Sequence, residues 1–373
     1  LAPIIDMGPD ALIISDPGLI MMVRERWPGQ TIHLSVQSNV VNYAAAKFWH
    51  NMGLKRIILS RELSLKEIGE IREHCPELEL ETFVHGALCI AYSGRCLLSG
   101  YMSHSDSNQG ACTNSCRWKY DVHEARETGT GDTVPQSGSA LDQLDISPVV
   151  LLEEQNRPGE LMPAYEDEHG TYIMNSKDLR AVQHVEKLTR LGIDSFKIEG
   201  RTKSIYYVAR TTQVYRKAID DALAGQPFDM GLMDELEGMA NRGFTEGFYR
   251  RHPPGEYQNY ERGFSTSEKQ QYVGSIIDCS DNWLTVDVKN RFAAGDHLQL
   301  MTTSGNISFD LPTITDNNGN TTDVAPGSGH LVKIPLPEGI ETASINGFSL
   351  LVRYLPQQKA IDGDTKNPIP AVS

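Results

Sequence analysis

Residues 56–84 have the sequence RIILSRELSLKEIGEIREHCPELELETFV, and this stretch is the basis of the predicted fold. Arg56–Leu59 and Leu78–Val84 are short apolar runs that are typical of strands. Between them, Ser64 and Glu67 have the spacing of a capping box, which begins a helix. A strand, a helix and a second strand joined by short connections place the two strands parallel in one sheet.

The same alternation of strand and helix continues on both sides of this stretch. The further predicted strands are Ala11–Ser15, Ile32–Val36, Tyr172–Met174 and Ser195–Ile198. Polar residues gather directly after these strands, and in a (β/α) barrel that rim holds the active site. About six strand–helix units are countable, whereas a closed barrel needs eight. We therefore predict an α/β fold, a TIM-like (β/α) barrel that lacks its first units through N-terminal truncation; an open doubly wound sheet is the alternative.

The whole sequence divides into segments of different composition. Residues 1–225 form the predicted partial barrel, which contains a cysteine-rich segment at 85–117 and an acidic, turn-rich excursion at 123–170 that we expect to be irregular. Short alternating strands at 269–355 predict a small β-barrel or β-sandwich domain. A connector at 226–268 joins the two domains, and a flexible tail is predicted at 356–373.

Charge and hydropathy exclude several classes of protein. The net charge of −15 over 373 residues argues against non-specific binding of nucleic acid by the whole surface, because phosphate contacts need clustered cations. The apolar stretches are strand-sized and far shorter than the roughly 20 residues of a membrane span. We see no secretory signal at the start of the sequence. A cytoplasmic protein without a membrane partner is expected.

Four of the six cysteines lie close together, as Cys-x6-Cys-x15-Cys-x3-Cys at Cys89, Cys96, Cys112 and Cys116. In a reducing compartment, clustered thiols more often bind metal than form disulfides. Structural zinc sites usually use Cys-x2-Cys knuckles, and this spacing contains none. Four widely spaced thiolates suit an iron–sulfur cluster. The spacing leaves three interpretations open: an iron–sulfur cluster, a zinc site and a redox or structural set of thiols.

The sequence around these cysteines resembles the peptidase U32 family. The resemblance is carried by FVHGALCIAYSGRCLLS at 83–99, NQGAC at 108–112 and Cys116-Arg117. The stretches YIMNSKDL at 172–179 and FKIEGR at 196–201 are also similar to family signatures.

This resemblance implies a TIM-like barrel and a [4Fe–4S] cluster held by the four cysteines. It implies an enzyme that hydroxylates the wobble uridine of tRNA at carbon 5, with prephenate as co-substrate or precursor. The implied partners are tRNA, a small dicarboxylate and an electron-donor protein. The alternatives are a U32-type, collagenase-like peptidase and a non-catalytic scaffold stabilised by zinc or a cluster.

Most of the candidate site residues lie in or after predicted strands, and Arg117 adjoins Cys116 of the cysteine cluster. A dicarboxylate needs bidentate cations, and guanidinium groups supply them, so Arg61, Arg117 and Arg201 are candidate substrate ligands together with Gln37. Arg61 has an alternative role as the ion-pair partner of Glu62 or Glu81. The candidate catalytic residues are His85, Glu199, Lys177 and Asp178. His85 is suited to proton transfer, although a histidine that only hydrogen-bonds the rim fits the same position.

Protease signatures are missing from the sequence. It contains no His-Glu-x-x-His motif, and Tyr92-Ser93-Gly94-Arg95-Cys96 is not a Gly-x-Ser-x-Gly elbow. His85 lies near Cys89, but a thiolate bound to iron is not a free nucleophile. Hydroxylation is therefore favoured over direct proteolysis.

Overall fold

The computed structural model divides the chain into two compact units. The first comprises Leu1–Leu236 and Asn241–Ser265, and the second comprises Glu237–Ala240 and Thr266–Ser373. The structure describes residues 1–88, 91–93, 96, 98–104, 112–113, 115–117, 120–127, 133–135, 149–154, 161–167, 170–171, 178–200, 203–239, 244–250, 270–340 and 342–355.

The first unit combines helices with two sheets. Its strands are β1 (Leu12–Ile14), β2 (Ile32–Leu34), β3 (Arg56–Ile58), β4 (Glu79–Ala87), β5 (Tyr120–Glu127), β6 (Thr133–Pro135), β7 (Val149–Glu154), β8 (Leu161–Asp167), β9 (Gly170–Thr171), β10 (Asp178–Arg180), β11 (Ser195–Ile198) and β12 (Phe244–Thr245). The helices of the chain are α1 (Ala2–Ile5), α2 (Pro17–Arg26), α3 (Tyr43–Asn51), α4 (Leu65–His74), α5 (Leu98–Ser103), α6 (Val185–Arg190), α7 (Ile205–Leu223) and α8 (Gly231–Glu237).

Five strands of the larger sheet run parallel, in the order β1-β2-β3-β4-β11. Strand β4 is the longest of them, and its register places Glu79 opposite Arg56 of β3 and Glu81 opposite Ser195 of β11. The mixed α/β architecture predicted from the alternation is confirmed. A closed barrel is not detected among the strands that the structure describes.

Local sequence explains where the helices begin. Asp16 caps α2 by accepting a hydrogen bond from the Leu19 N–H at 2.7 Å. The predicted capping box of α4 is present, since Ser64 and Glu67 bond each other's backbone N–H groups. Helix α4 then buries Leu65, Ile68 and Ile71 on one face, and each such burial contributes about 1.5–3 kcal/mol.

The sequence predicts that polar residues at 175–178 are followed by a helix that ends near Leu191, and the structure differs from this prediction. Strand β10 pairs antiparallel with the end of β4, with Leu179 opposite Gly86 and Arg180 opposite His85. A 3-10 helix (Val182–His184) and the short α6 follow. The physical reason is backbone satisfaction: the end of β4 offers unpaired groups, and strand pairing uses them.

The excursion at 123–170 also differs from its prediction as an irregular segment. Its described residues form an antiparallel sheet in the order β6-β5-β7-β8-β9. Each of these strands pairs with another strand of the same segment, so the sheet is built from partners close by in the chain. Acidic residues are compatible with this sheet, because an antiparallel sheet tolerates solvent on one face.

The second unit is β-rich, as predicted for the carboxyl-terminal domain. Its strands are β13 (Gln270–Ser280), β14 (Trp283–Val288), β15 (Phe292–Ala293), β16 (His297–Thr302), β17 (Gly305–Asp310), β18 (Ile314–Asp316), β19 (Thr321–Thr322), β20 (Val324–Ala325), β21 (Leu331–Pro335) and β22 (Leu350–Tyr354). Eight of them form one sheet in the order β17-β16-β22-β13-β14-β21-β18-β19, and β15 pairs with β20. A core that includes Val273, Val286, Phe292 and Leu351 is buried beneath these strands.

No helix in the described part of the chain is long and apolar enough to cross a membrane.

Candidate functional site

Loops at the carboxyl ends of the parallel strands contact one another through polar side chains. The Ser38 hydroxyl after β2 donates to the Ser15 carbonyl after β1 at 3.2 Å. The Ser60 hydroxyl after β3 donates to Asn39 Oδ1 at 3.0 Å. Gln37 lies half-buried in the same loop as Ser38. The predicted polar rim is therefore a connected edge of the sheet.

Arg61 and Glu199 join the loops after β3 and β11. Arg61 Nη2 lies 3.4 Å from Glu199 Oε2, and the Arg61 side chain is only 8% exposed. Its guanidinium stacks on the Phe83 ring with 3.6 Å between Cζ and the ring centroid. Stacking on an aromatic face holds a guanidinium in one orientation. This pair brings together two residues that the sequence had assigned to the site.

The carboxylates that were alternative partners of Arg61 are used elsewhere. Glu62 Oε1 accepts from the backbone N–H of Ser93 at 2.9 Å, which ties the segment after β4 to the loop after β3. Glu81 lies 3.1 Å from Lys197 and 3.3 Å from Arg56. Burial raises the pKa of Glu81, but these cations outweigh it and leave the pKa below its usual value.

Gly86 allows β4 and β11 to approach each other at the site. Its φ of 112° is unfavourable for any residue with a side chain, and a Cβ there would overlap the Glu199 carbonyl oxygen. The Glu199 N–H donates to the neighbouring His85 carbonyl at 2.9 Å. Glycine at this position therefore sets the separation between His85 and Glu199.

His85 is buried inside the site with 1% exposure. Its ring lies among the rings of Tyr207, Tyr215 and Phe244, with centroid distances of 5.4–5.5 Å. Nδ1 lies 3.3 Å from the Tyr215 hydroxyl, and Nε2 has no hydrogen-bond partner among the described residues. Burial lowers the pKa of His85 to about 3, so the ring is neutral at physiological pH.

A buried ion pair lies close to His85. Asp178 is fully buried in β10, and its Oδ2 accepts from Lys203 Nζ at 2.6 Å. Lys203 Nζ also lies 4.7 Å from the centroid of the Tyr207 ring. The carboxylate raises the pKa of His85, whereas Lys203 and Arg180 lower it, so all three groups act on the imidazole. The arrangement supplies a neutral base beside fixed charges.

The segment that carries the later cysteines is held by hydroxyl groups. Thr113 Oγ1 lies 3.0 Å from Ser99 Oγ, 2.9 Å from Ser103 Oγ and 2.7 Å from Ser115 Oγ. These bonds tie α5, which follows Cys96, to the chain between Cys112 and Cys116. All three of these cysteines are half-buried.

The structure brings together only part of the predicted site. His85, Asp178, Glu199 and Arg61 converge at the ends of β4, β10, β11 and β3. Gln37 lies on the same edge of the sheet, in the 3-10 helix Val36–Ser38. Cys89, Lys177 and Arg201 lie outside the described residues, and Arg117 is described only as part of a 3-10 helix (Ser115–Arg117). Within the described residues, no group of three or more histidine, cysteine or carboxylate side chains is placed to hold a metal ion.

Several residues of the site were not predicted from the sequence. They are Arg180, Lys203, Tyr207, Tyr215 and Phe244. Lys203 carries one usable signal, because it lies in the same strand–helix connection as the predicted Glu199. The aromatic residues of α7 carry none, since an apolar helix face looks the same whether it packs on a core or on a site.

Comparisons with known proteins agree over nearly the whole chain. The family model "Peptidase family U32" matches residues 1–259, and "Peptidase family U32 C-terminal domain" matches residues 268–346. The tRNA hydroxylation protein P of Escherichia coli (strain K12) is 56% identical over 379 residues, which cover 99% of this chain and 82% of that protein. The tRNA hydroxylation protein P of Haemophilus influenzae is 54% identical, with coverages of 99% and 81%. The tRNA hydroxylation protein P1 of Bacillus subtilis (strain 168) is 34% identical, with coverages of 90% and 73%. The resemblance found in the sequence is confirmed, and the chain belongs to peptidase family U32.

Proposed function

We propose that this chain is an enzyme that hydroxylates tRNA, acting on carbon 5 of the wobble uridine. The observation that carries the proposal is the 54–56% identity, over 99% of the chain, to relatives named tRNA hydroxylation protein P. At such identity the buried residues of a site are seldom rearranged. The partner is tRNA, and the location that follows from this substrate is the cytoplasm.

The cofactor that we propose is a [4Fe–4S] cluster on Cys89, Cys96, Cys112 and Cys116. The donor set is suitable, because thiolates are the ligands that such clusters use. The hydroxyl bonds of Thr113 support it further, since they hold together the segments that carry the last three of these cysteines. A bound cluster supplies one-electron transfer, and an electron-donor protein would then be a second partner. Zinc is the alternative metal for four thiolates.

The small co-substrate that we propose is a dicarboxylate such as prephenate. Arg61 is suited to bind one carboxylate, because its guanidinium is already oriented on Phe83 and its bond to Glu199 is long at 3.4 Å. A ligand carboxylate could replace that bond in bidentate geometry. Arg117, Arg201 and Gln37 are proposed as further ligands.

The proposed roles of the remaining residues follow from their surroundings. His85 is neutral and buried, so we propose that it accepts a hydrogen bond through an imidazole nitrogen, whereas the burial that lowers its pKa to about 3 disfavours uptake of a full proton. Asp178 holds Lys203 in place beside it, and Lys177 is proposed as a second cation of this group. Glu199 restrains Arg61 until substrate binds. A TIM-like barrel is the fold that we propose for the first domain.

The test compares tRNA nucleosides by mass spectrometry in a strain that lacks the corresponding gene. The strain carries either the wild-type chain, a Cys96→Ser variant or a Cys279→Ser variant, the last being a matched control in the second unit. We expect 5-hydroxyuridine with the wild type and the control, and its loss with Cys96→Ser. Equal 5-hydroxyuridine in the strain with and without the wild-type chain would refute the tRNA assignment.

Proteolysis is the second candidate, and the description of the family as a peptidase family favours it. Purified wild-type protein and a variant without Cys89, Cys96, Cys112 and Cys116 would be incubated with denatured collagen. Cleavage that survives the loss of all four cysteines would support a peptidase. Absence of cleavage by the wild type would remove this candidate.

A further inference from the structure

The hydroxyl of Tyr215 has three neighbours inside the first unit. It donates to the Val84 carbonyl of β4 at 2.6 Å. It accepts from the Ala181 N–H at 3.0 Å, and the same N–H also donates to Val84 at 2.9 Å. The third neighbour is His85 Nδ1 at 3.3 Å. Tyr215 is fully buried, so water does not compete for these bonds.

The single proton of the Tyr215 phenol determines which nitrogen of the His85 ring carries a proton. The phenol has one proton, and the short bond to Val84 uses it, because 2.6 Å is typical of a strong O–H···O bond whereas 3.3 Å is long. Burial raises the pKa of Tyr215 well above its ordinary value, so the phenol keeps that proton. The remaining lone pair of the phenol can only accept. Nδ1 must therefore be the protonated nitrogen of the neutral imidazole.

The other nitrogen of the ring is then a bare acceptor. Nε2 is buried and has no hydrogen-bond partner among the residues that the structure describes. An unsatisfied polar atom in a buried place destabilises the folded chain, so such atoms are kept where something else uses them. The groups that face the ring are Asp178, Lys203 and Arg180.

We infer that Tyr215 is a positioning residue that fixes His85 in the Nδ1–H tautomer and so presents Nε2 as an acceptor to a hydrogen-bond donor of the substrate. This inference rests on the proposed function for the identity of the substrate, but the tautomer itself does not depend on it. In other enzymes the second nitrogen of a histidine is oriented in the same way, by the bond that the first nitrogen makes.

A second buried tyrosine provides the matched control. Tyr249 donates to the Phe83 carbonyl at 2.5 Å, and its hydroxyl lies 2.9 Å from Thr82 Oγ1. It therefore binds the same strand one residue earlier, through Phe83 and Thr82 rather than through His85. Tyr249→Phe removes an equivalent buried hydroxyl, so a change that is confined to Tyr215→Phe reports on the tautomer and not on loss of packing.

The experiment is nitrogen-15 NMR of protein labelled at its histidine rings. The chain has 11 histidines, and His85→Gln identifies the resonances of His85. The wild type is expected to show a protonated Nδ1 and an unprotonated Nε2. Tyr215→Phe is expected to shift the ring toward the Nε2–H form, which free histidine prefers. Tyr249→Phe is expected to leave the His85 resonances unchanged.

Two results would overturn the inference: an Nε2–H tautomer in the wild type, or an unchanged Nδ1–H tautomer in Tyr215→Phe. If Tyr215→Phe does not fold, the wild-type spectrum alone still decides the tautomer. The NMR result is independent of tRNA hydroxylation, so an inactive protein with the Nδ1–H form would refute the proposed function and not this inference.

Discussion

Replacing His85 by glutamine should make the first unit less sensitive to acid. Burial lowers the pKa of His85 to about 3 in the folded chain, whereas an unfolded histidine titrates near 6.5. Below pH 6.5 the unfolded chain therefore binds a proton at His85 that the folded chain does not bind. Stability contributed by the neutral ring is complete above that pH and is lost progressively as the pH falls toward 3.

The magnitude follows from the difference in bound protons. Each pH unit below 6.5 costs about 1.4 kcal/mol, so moving from pH 7 to pH 5 removes about 2 kcal/mol from the free energy of unfolding. Any pKa of His85 below about 4 in the folded chain gives nearly the same loss of free energy of unfolding at pH 5. Glutamine does not titrate, so the variant lacks this loss while every other titrating group contributes equally to both proteins.

Two cysteines, of which Cys75 is buried and Cys279 is half-buried, make the measurement specific to each unit. Cys75 is buried at the end of α4 in the first unit, and Cys279 lies in β13 of the second. Urea unfolding at pH 7 and pH 5 would be followed by pulse labelling with a disulfide reagent that reacts in acid, with each labelled peptide quantified by mass spectrometry. We expect the pH-dependent difference between wild type and His85→Gln at Cys75 and not at Cys279. If labelling at Cys75 shows the same loss of stability between pH 7 and pH 5 in the wild type and in His85→Gln, His85 is not a buried neutral ring.

Three further substitutions, two of them paired with a control substitution, have defined outcomes. Gly86→Ala should destabilise the first unit by more than about 2 kcal/mol in urea unfolding, because a strained φ and a steric overlap combine there. Gly225 also has a positive φ, of 70°, but a Cβ there would lie in open space. Gly225→Ala should therefore lower the free energy of unfolding by only about 1 kcal/mol. Lys203→Met should lower the free energy of unfolding by about 3–5 kcal/mol, because it removes the Lys203 ammonium from the buried Asp178 carboxylate. Cys96→Ser, purified without oxygen, should lose iron and acid-labile sulfide, whereas Cys279→Ser should keep both.

Each of these outcomes has a result that contradicts it. Equal costs for the two glycine substitutions would show that β4 and β11 can move apart at Glu199. If adding Asp178→Asn to Lys203→Met does not restore the stability, the lost ion pair is not the source of the destabilisation. Stoichiometric zinc without sulfide in the wild type would remove the proposed cluster.

The helix and strand boundaries illustrate how far local sequence reaches. The capping box at Ser64 and the strand at Ser195–Ile198 were predicted at the residues where they occur. Their causes are local, because a cap or an apolar run acts on residues a few positions away. Residues 178–191 were mispredicted since their partner, the end of β4, lies about 90 positions earlier in the chain.

The sequence by itself determined the alternation of strands and helices in residues 11–84 and part of the set of chemical groups at the site, because both follow from neighbouring residues. It also determined the family, through short stretches around the cysteines. Only the tertiary structure decided which groups meet. His85 and Tyr215 are 130 positions apart, and the bond between them, the burial that keeps the ring neutral and the overlap that requires glycine at position 86 all arise when distant segments pack together. Packing creates these properties because burial and hydrogen-bond partners are supplied by residues that no local pattern identifies.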